Sequence, residues 1–194
     1  MDYTLIKTNR KSVALEISPD GTLIIRAPLR YTKDDADKFV KEHEKWIFKH
    51  LPSVLAKKQE ISLLSDKDIA LAKKCAKIIC THLVEKYAPL MNVYPKNIKI
   101  TSAKKSFGSC SGKNSICFSY YLMLYSMEAI TYVVVHELAH IKHHNHSSNF
   151  HNYVKKHLPE AKNYEKLLEP SFAKYDNFIK NVEYSKNIYL NHIQ

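Results

Sequence analysis

Six histidines fall within nineteen residues, Val133 to His151, in the stretch VVVHELAHIKHHNHSSNFH. His136, Glu137 and His140 form an H-E-x-x-H pattern within it. On a helix, residues four apart share a face, so both imidazoles can bind one ion while Glu137 reaches a water on that ion. Two neutral imidazoles, a third protein donor and one open position make the usual layout of catalytic zinc. The neighbours strengthen this reading. Val133, Val134, Val135, Leu138, Ala139 and Ile141 make the helix apolar on most sides, so polar groups within it are buried and need partners. A metal ion is the economical partner. The chemistry expected is hydrolysis by metal-activated water, with Glu137 as general base.

The third donor is the harder choice. His143 and His144 lie near the same side of a continuing helix, but their rise carries them beyond the ion. His146 would be ~9 Å further along an unbroken helix than His140 and rotated away. It converges only if the chain turns first, and Asn145 is suited to a left-handed turn. All four methionines, Met1, Met91, Met123 and Met127, precede the motif. The chain therefore lacks the downstream methionine turn of metzincins. A glutamate ligand of the gluzincin type, from Glu160, Glu165 or Glu169, remains an alternative. His143, His144 and His151 are expected to be exposed or to lie outside the ligand set. The four cysteines contain no C-x-x-C pair. Cys75 and Cys80 read as helix core residues, and Cys110 and Cys117 lack the partner pair a zinc site would need.

The elements that must position these residues follow from periodicity. SVALEI and TLIIRAP alternate on either side of Pro19-Asp20-Gly21, which predicts a β-hairpin, with YTLIKT as a third strand. From Thr32, a candidate N-cap, the period becomes helical, with Phe39, His43, Trp46, Ile47 and His50 on one stripe. A second helix is expected from Ser65 to about Leu90. KNIKI and NSICFSYY read as short strands with SFGSCSG as the turn between them. Ser126 caps the helix that carries His136. Pro159 and Pro170 break the shorter helices that follow. The order β, then α, then a mixed β–β–α–α block predicts an α+β fold in a single domain. Its regions are N-terminal strands over 1–31, a helical region over 32–95, the metal-site block over 96–170 and a C-terminal extension over 171–194, expected to pack on the body.

Composition narrows the function classes. Three glycines leave little material for glycine-rich phosphate loops. The net charge is +11, of which +6 lies in residues 61–130, leading into the histidine cluster. That excess suits either a solvated surface or an anionic partner, a nucleotide or nucleic acid. Only three of the thirty basic residues are arginines, which argues against bidentate phosphate recognition. No run approaches the ~18 apolar residues of a membrane span, and the N-terminus has no apolar signal core. The expected location is cytoplasmic.

The segment from Phe107 to His151 also resembles the YgjP-like family of zincin-fold metal hydrolases, which is related to SprT-like proteases. The resemblance rests on Gly108, Ser109, Cys110 and Ser111, then His136, Glu137 and His140, then Asn145, His146, Ser147 and Phe150. Arg26-Ala27-Pro28 and KEHEKWIFKHL also look like the N-terminal half of that family. The family usually has tryptophan where this chain has Phe107, and the segment after Pro170 falls outside the likeness. The resemblance implies a zincin-like block, His146 as third ligand, and zinc or another divalent transition metal. It also implies a hydrolase, and two substrate classes fit. The first is peptide, with SICFSYY pairing to extended substrate and an oxyanion partner among Tyr120, Tyr121, His143 and His144. The alternative is a nucleoside-triphosphate pyrophosphohydrolase, acting for example on UTP, with Lys104, Lys105 and Lys113 holding phosphates. A third reading is a basic nucleic-acid-associated protein with a structural zinc. Glu137 argues against it, because a closed structural site has no use for a general base.

Overall fold

Alternating apolar residues around the Pro19-Asp20-Gly21 turn form the expected hairpin. β2 (Ala14–Ile17) runs antiparallel to β3 (Leu23–Pro28), with Ile17 opposite Leu23. Gly21 takes φ +90, a conformation side chains other than glycine's rarely adopt. The Asp20 carboxylate closes the turn by accepting from the Thr22 N–H at 3.1 Å and from the Ser18 hydroxyl. β1 (Tyr3–Thr8) pairs parallel to the other edge of β3. β3 is therefore the central strand, and its alternate residues Leu23, Ile25 and Ala27 are buried. The computed structural model describes residues 1–191 and divides into two compact units, Met1–Gln59 and the residues from Glu60 onward. In the first unit Thr32 caps α1 (Lys33–Glu42) in a reciprocal box with Asp35. The single helical stripe expected beyond Thr32 is two helices. α1 ends at His43, whose backbone leaves helical geometry at φ −99, ψ 10, and α2 (Glu44–Ser62) begins at once. Side-chain periodicity survives such a one-residue break, so the stripe did not reveal it. Ala36, Val40 and Ile47 complete the core of this unit over β3.

In the second unit Ser65 caps α3 (Asp66–Met91) in a box with Asp68, and Asn92 ends it in the left-handed conformation, φ 49. β4 (Asn97–Thr101), β5 (Gly108–Cys110) and β6 (Ser115–Ser119) make a sheet of order β4-β6-β5. β4 is parallel and β5 antiparallel to β6. The segment expected to be only a turn thus contains a strand, whose three residues are too few for alternation to show. A 3-10 turn over Tyr120–Leu124 leads to Ser126, which caps α4 (Met127–His140). α5 (Ser148–His157), α6 (Ala161–Lys166) and α7 (Tyr175–Asn191) follow. The class is α+β, as expected. α4 is the buried centre of this unit, packed against α3, α5, α6 and β5.

The C-terminal extension packs on the body of the second unit, as expected. α7 lies on α3 and on the 3-10 turn. Its buried Asn181 donates to the carbonyls of Met123 and Tyr125, each at 2.9 Å. Asn177 and the backbone N–H of Lys174 both donate to the Leu124 carbonyl. Three consecutive carbonyls just before the α4 cap are satisfied in this way. Among the described residues, no helix is long and apolar enough to cross a membrane.

Candidate metal centre

α4 presents His136 and His140 on one face, half-buried, and buries Glu137 between them in sequence. The helix ends at His140. The N–H groups of Lys142 and His143 still bond back to the Ala139 carbonyl, at 3.1 and 2.9 Å, as the last helical turn closes, and the chain then bends at His144–Asn145. His146 then returns to the same point. Its Nε2 lies 3.1 Å from His136 Nε2, and His140 Nε2 lies 3.2 Å from that same atom. Three nitrogens bound tetrahedrally to one zinc ion at about 2.0–2.1 Å would be about 3.3 Å apart. The donor set therefore fits such an ion, and all three donor atoms lie within 4.8 Å of one another.

The electrostatics agree with that fit. Burial, then the neighbouring His140, His146 and His151, pushes His136 down to about 4, and burial lowers His140 as well. Both rings are therefore neutral near pH 7, the form that binds a metal. His140 Nδ1–H donates to the His143 carbonyl at 3.0 Å, which fixes the tautomer and leaves Nε2 as the lone-pair donor. Phe150 supports the cluster from α5, its ring centroid 4.5 to 4.9 Å from those of the three histidines.

Glu137 is held from the sheet side. A Cβ on Gly108 would stand 2.6 Å from Glu137 Oε1, so only a glycine on β5 leaves this space. Phe107, beside it, packs edge-on against the fully buried Tyr125 with centroids 4.9 Å apart. Phe107, where the resemblance leads one to expect tryptophan, thus makes an aromatic contact of its own. Burial pushes the Glu137 carboxyl up to about 7. Its Oε2 and His136 Nδ1 are buried without a hydrogen-bond partner. Orphaned polar atoms are rare in folded proteins, and their presence here marks a place where a ligand belongs.

Several expectations are corrected. Asn145 is not left-handed: among the described residues the only non-glycine positive φ values are at Asn92 and Asn114. The chain nevertheless bends at His144–Asn145, close to the expected place, and does so without a left-handed residue. β6, expected to pair with substrate, is the central strand and has both edges occupied. The sheet edge beside Glu137 is β5. Glu160 and Glu169 are exposed just ahead of α6 and a 3-10 turn over Pro170–Phe172, and Glu165 is exposed on α6. None of the three joins the donor cluster. Cys110 and Cys117 are free thiols. The β5–β6 register sets Cys117 opposite Ser109, so the two cysteines alternate to opposite sheet faces.

His144 and His151 are exposed, while His143 is half-buried with its ring edge-on to Tyr153. Tyr120 and Tyr121 are buried, with their ring centroids 4.3 Å apart. Lys104, Lys105 and Lys113 are exposed on the loops flanking β5. Reasoning from the sequence missed Tyr132, whose ring centroid lies 5.6 Å from that of His136. The signal was present, because Tyr132 stands four residues before His136.

Comparison with known proteins supplies a family. The profile of the YgjP-like family, described as a metallopeptidase domain, matches residues 11–72 and 54–171. No curated protein matches. Among solved structures the chain is similar to the crystal structure of the metallopeptidase zymogen of Pyrococcus abyssi abylysin, with 29% sequence identity and a TM-score of 0.41. That match covers 45% of this chain and 89% of the other.

Proposed function

The chain belongs to the YgjP-like metallopeptidase family, and from that premise we propose a zinc-dependent peptidase in which His136, His140 and His146 hold the metal and Glu137 is the general base. The observation that carries the reading is the convergence of three imidazole nitrogens beside a buried, unpartnered carboxylate oxygen. A bound zinc ion supplies Lewis acidity, which brings a coordinated water toward neutral pKa and polarises a carbonyl. Glu137 accepts the proton of the attacking water at Oε2 and returns it to the leaving amine. Gly108 keeps that carboxylate in place from the sheet side. His143 acts through its carbonyl, orienting the His140 ring. β5 offers its outer edge to an extended substrate, so main-chain pairing would set the peptide alongside α4.

The family comparison carries no support for the nucleotide phosphohydrolase or the nucleic-acid-associated alternative. The experiment that tests the proposal loads purified protein with zinc, measures bound metal by elemental analysis, and incubates it separately with a peptide library and with nucleoside triphosphates. About one zinc per chain and chelator-sensitive peptide cleavage are expected. Less than a few tenths of an equivalent after zinc is supplied, or cleavage of nucleotides alone, would overturn it.

A further inference from the structure

α4, α5 and α6 enclose a cavity of about 340 Å³. α5 and α6 each give it a pair of residues four apart, which is what one helix face supplies. α5 contributes Phe150 and Val154, and α6 contributes Ala161 and Glu165. α4 contributes Tyr132, which stands one turn before His136 on the same face. The cavity therefore continues the face that bears the histidines. Phe150 is the shared wall, since its ring also touches those of His136, His140 and His146. Tyr132 adjoins His136, at 5.6 Å between centroids.

We propose that this cavity is the side-chain subsite of a peptide substrate, taking one large apolar residue beside the bond that is cut and excluding lysine and arginine. The proposal rests on the peptidase reading above. Tyr132 and His136 are one turn of α4 apart, ~5.4 Å, close to the span of one to two residues of an extended peptide, so a peptide at the donor cluster can reach the cavity. Its volume stands at the small end of ligand sites, about 300–1,000 Å³, as suits a single side chain. The walls Tyr132, Phe150, Val154 and Ala161 are all buried residues with apolar surfaces.

Charge decides against a basic side chain. The lining holds one carboxylate, Glu165, against two cations, Lys155 and Lys162. Lys155 and Lys162 stand exposed at the rim and repel a second cation. A charged side chain entering between Tyr132, Phe150, Val154 and Ala161 would also lose hydration that these apolar walls do not replace.

The test uses the full chain. Zinc-loaded wild type, Ala161→Phe and Lys162→Glu are each given a mixed peptide library, and cut sites are read by mass spectrometry. Wild type should favour Leu, Phe or Met about tenfold over small residues at one position flanking the cut, since pocket contacts of this size discriminate by that order. Ala161→Phe, which fills the cavity, should move that position toward Gly and Ala with zinc content unchanged. Lys162→Glu is an exposed change that leaves the walls intact, and it should admit Lys and Arg. A wild-type preference for Lys or Arg, or no change of preference in both variants, would overturn the proposal.

A second measurement separates this idea from the peptidase reading. N-acetyl-phenylalaninamide and N-acetyl-lysinamide are titrated into metal-free protein while backbone amide resonances are followed. Shifts at Tyr132, Val154 and Ala161 with the aromatic probe alone support the subsite even if wild type cuts no peptide. In that case the peptidase reading falls and the apolar site stands. Absence of those shifts in a protein that cuts no peptide would overturn the subsite too.

Discussion

Replacing Glu137 with glutamine should separate what this carboxylate does for chemistry from what it costs the fold. The side chain is 6% exposed, and its carboxyl stands at about 7 rather than the usual 4.5 because burial penalises the charged form. Below pH 4.5 the folded and unfolded chains both carry the proton, so nothing is lost. Between pH 4.5 and 7 the unfolded chain ionises while the folded one retains its proton, so stability falls as pH rises. Above about pH 7 the loss is complete. At ~1.4 kcal/mol per pKa unit it amounts to about 3 kcal/mol. Glutamine has nearly the same shape and never ionises. Metal-free Glu137→Gln should therefore match metal-free wild type at pH 4.5 and exceed it by about 3 kcal/mol at pH 8. Urea unfolding followed by circular dichroism, with chelator present, measures this directly. With zinc supplied, the same variant should keep its metal and lose peptide turnover by about 100-fold or more, the scale of a general base. A stability difference that does not change with pH would refute the claim that a buried, uncompensated carboxylate is present. Turnover within about threefold of wild type would remove Glu137 from the proton transfer.

His136→Ala, His140→Ala and His146→Ala should each lose zinc in elemental analysis, whereas His143→Ala, His144→Ala and His151→Ala should retain it. His143 acts through its backbone carbonyl, which alanine preserves. Gly108→Ala places a methyl group 2.6 Å from Glu137 Oε1, so turnover should fall by about 100-fold while zinc stays bound. Kinetics and metal content measured on the same sample check this. Asn181→Leu leaves the Met123 and Tyr125 carbonyls buried without their donor and should lower stability by about 2–4 kcal/mol in chemical denaturation.

Much of the local structure could be read from residue order because its causes are local. Thr32 with Asp35 and Ser65 with Asp68 are capping boxes, and each needs only four consecutive residues. The Asp20-Gly21 turn and the flanking alternation likewise contain the hairpin. The pair His136 and His140 belongs to this class too, because one turn of helix is enough to align them.

Other features required elements distant in the chain to meet. β5 has three residues, and its role as the edge strand beside Glu137 depends on pairing with β6 and packing on α4. The substrate strand was therefore assigned to β6, the stronger pattern, although a central strand has no edge to offer. His146 reaches the helical pair only because the chain bends between them. Asn145 has the residue type for a left-handed bend, yet the chain bends at His144–Asn145 without a positive φ.

Sequence alone was enough for whatever a single turn of backbone controls: the caps, the hairpin, the two helical histidines and the glutamate between them. Tertiary structure decided which later histidine meets that pair, why residue 108 is glycine, and that Tyr132, Phe150 and Ala161 face a common cavity. The physical reason is range. Hydrogen bonds and side-chain periodicity within one element act over a few residues, whereas close approach between elements depends on how their apolar faces pack, and no local pattern records that distance.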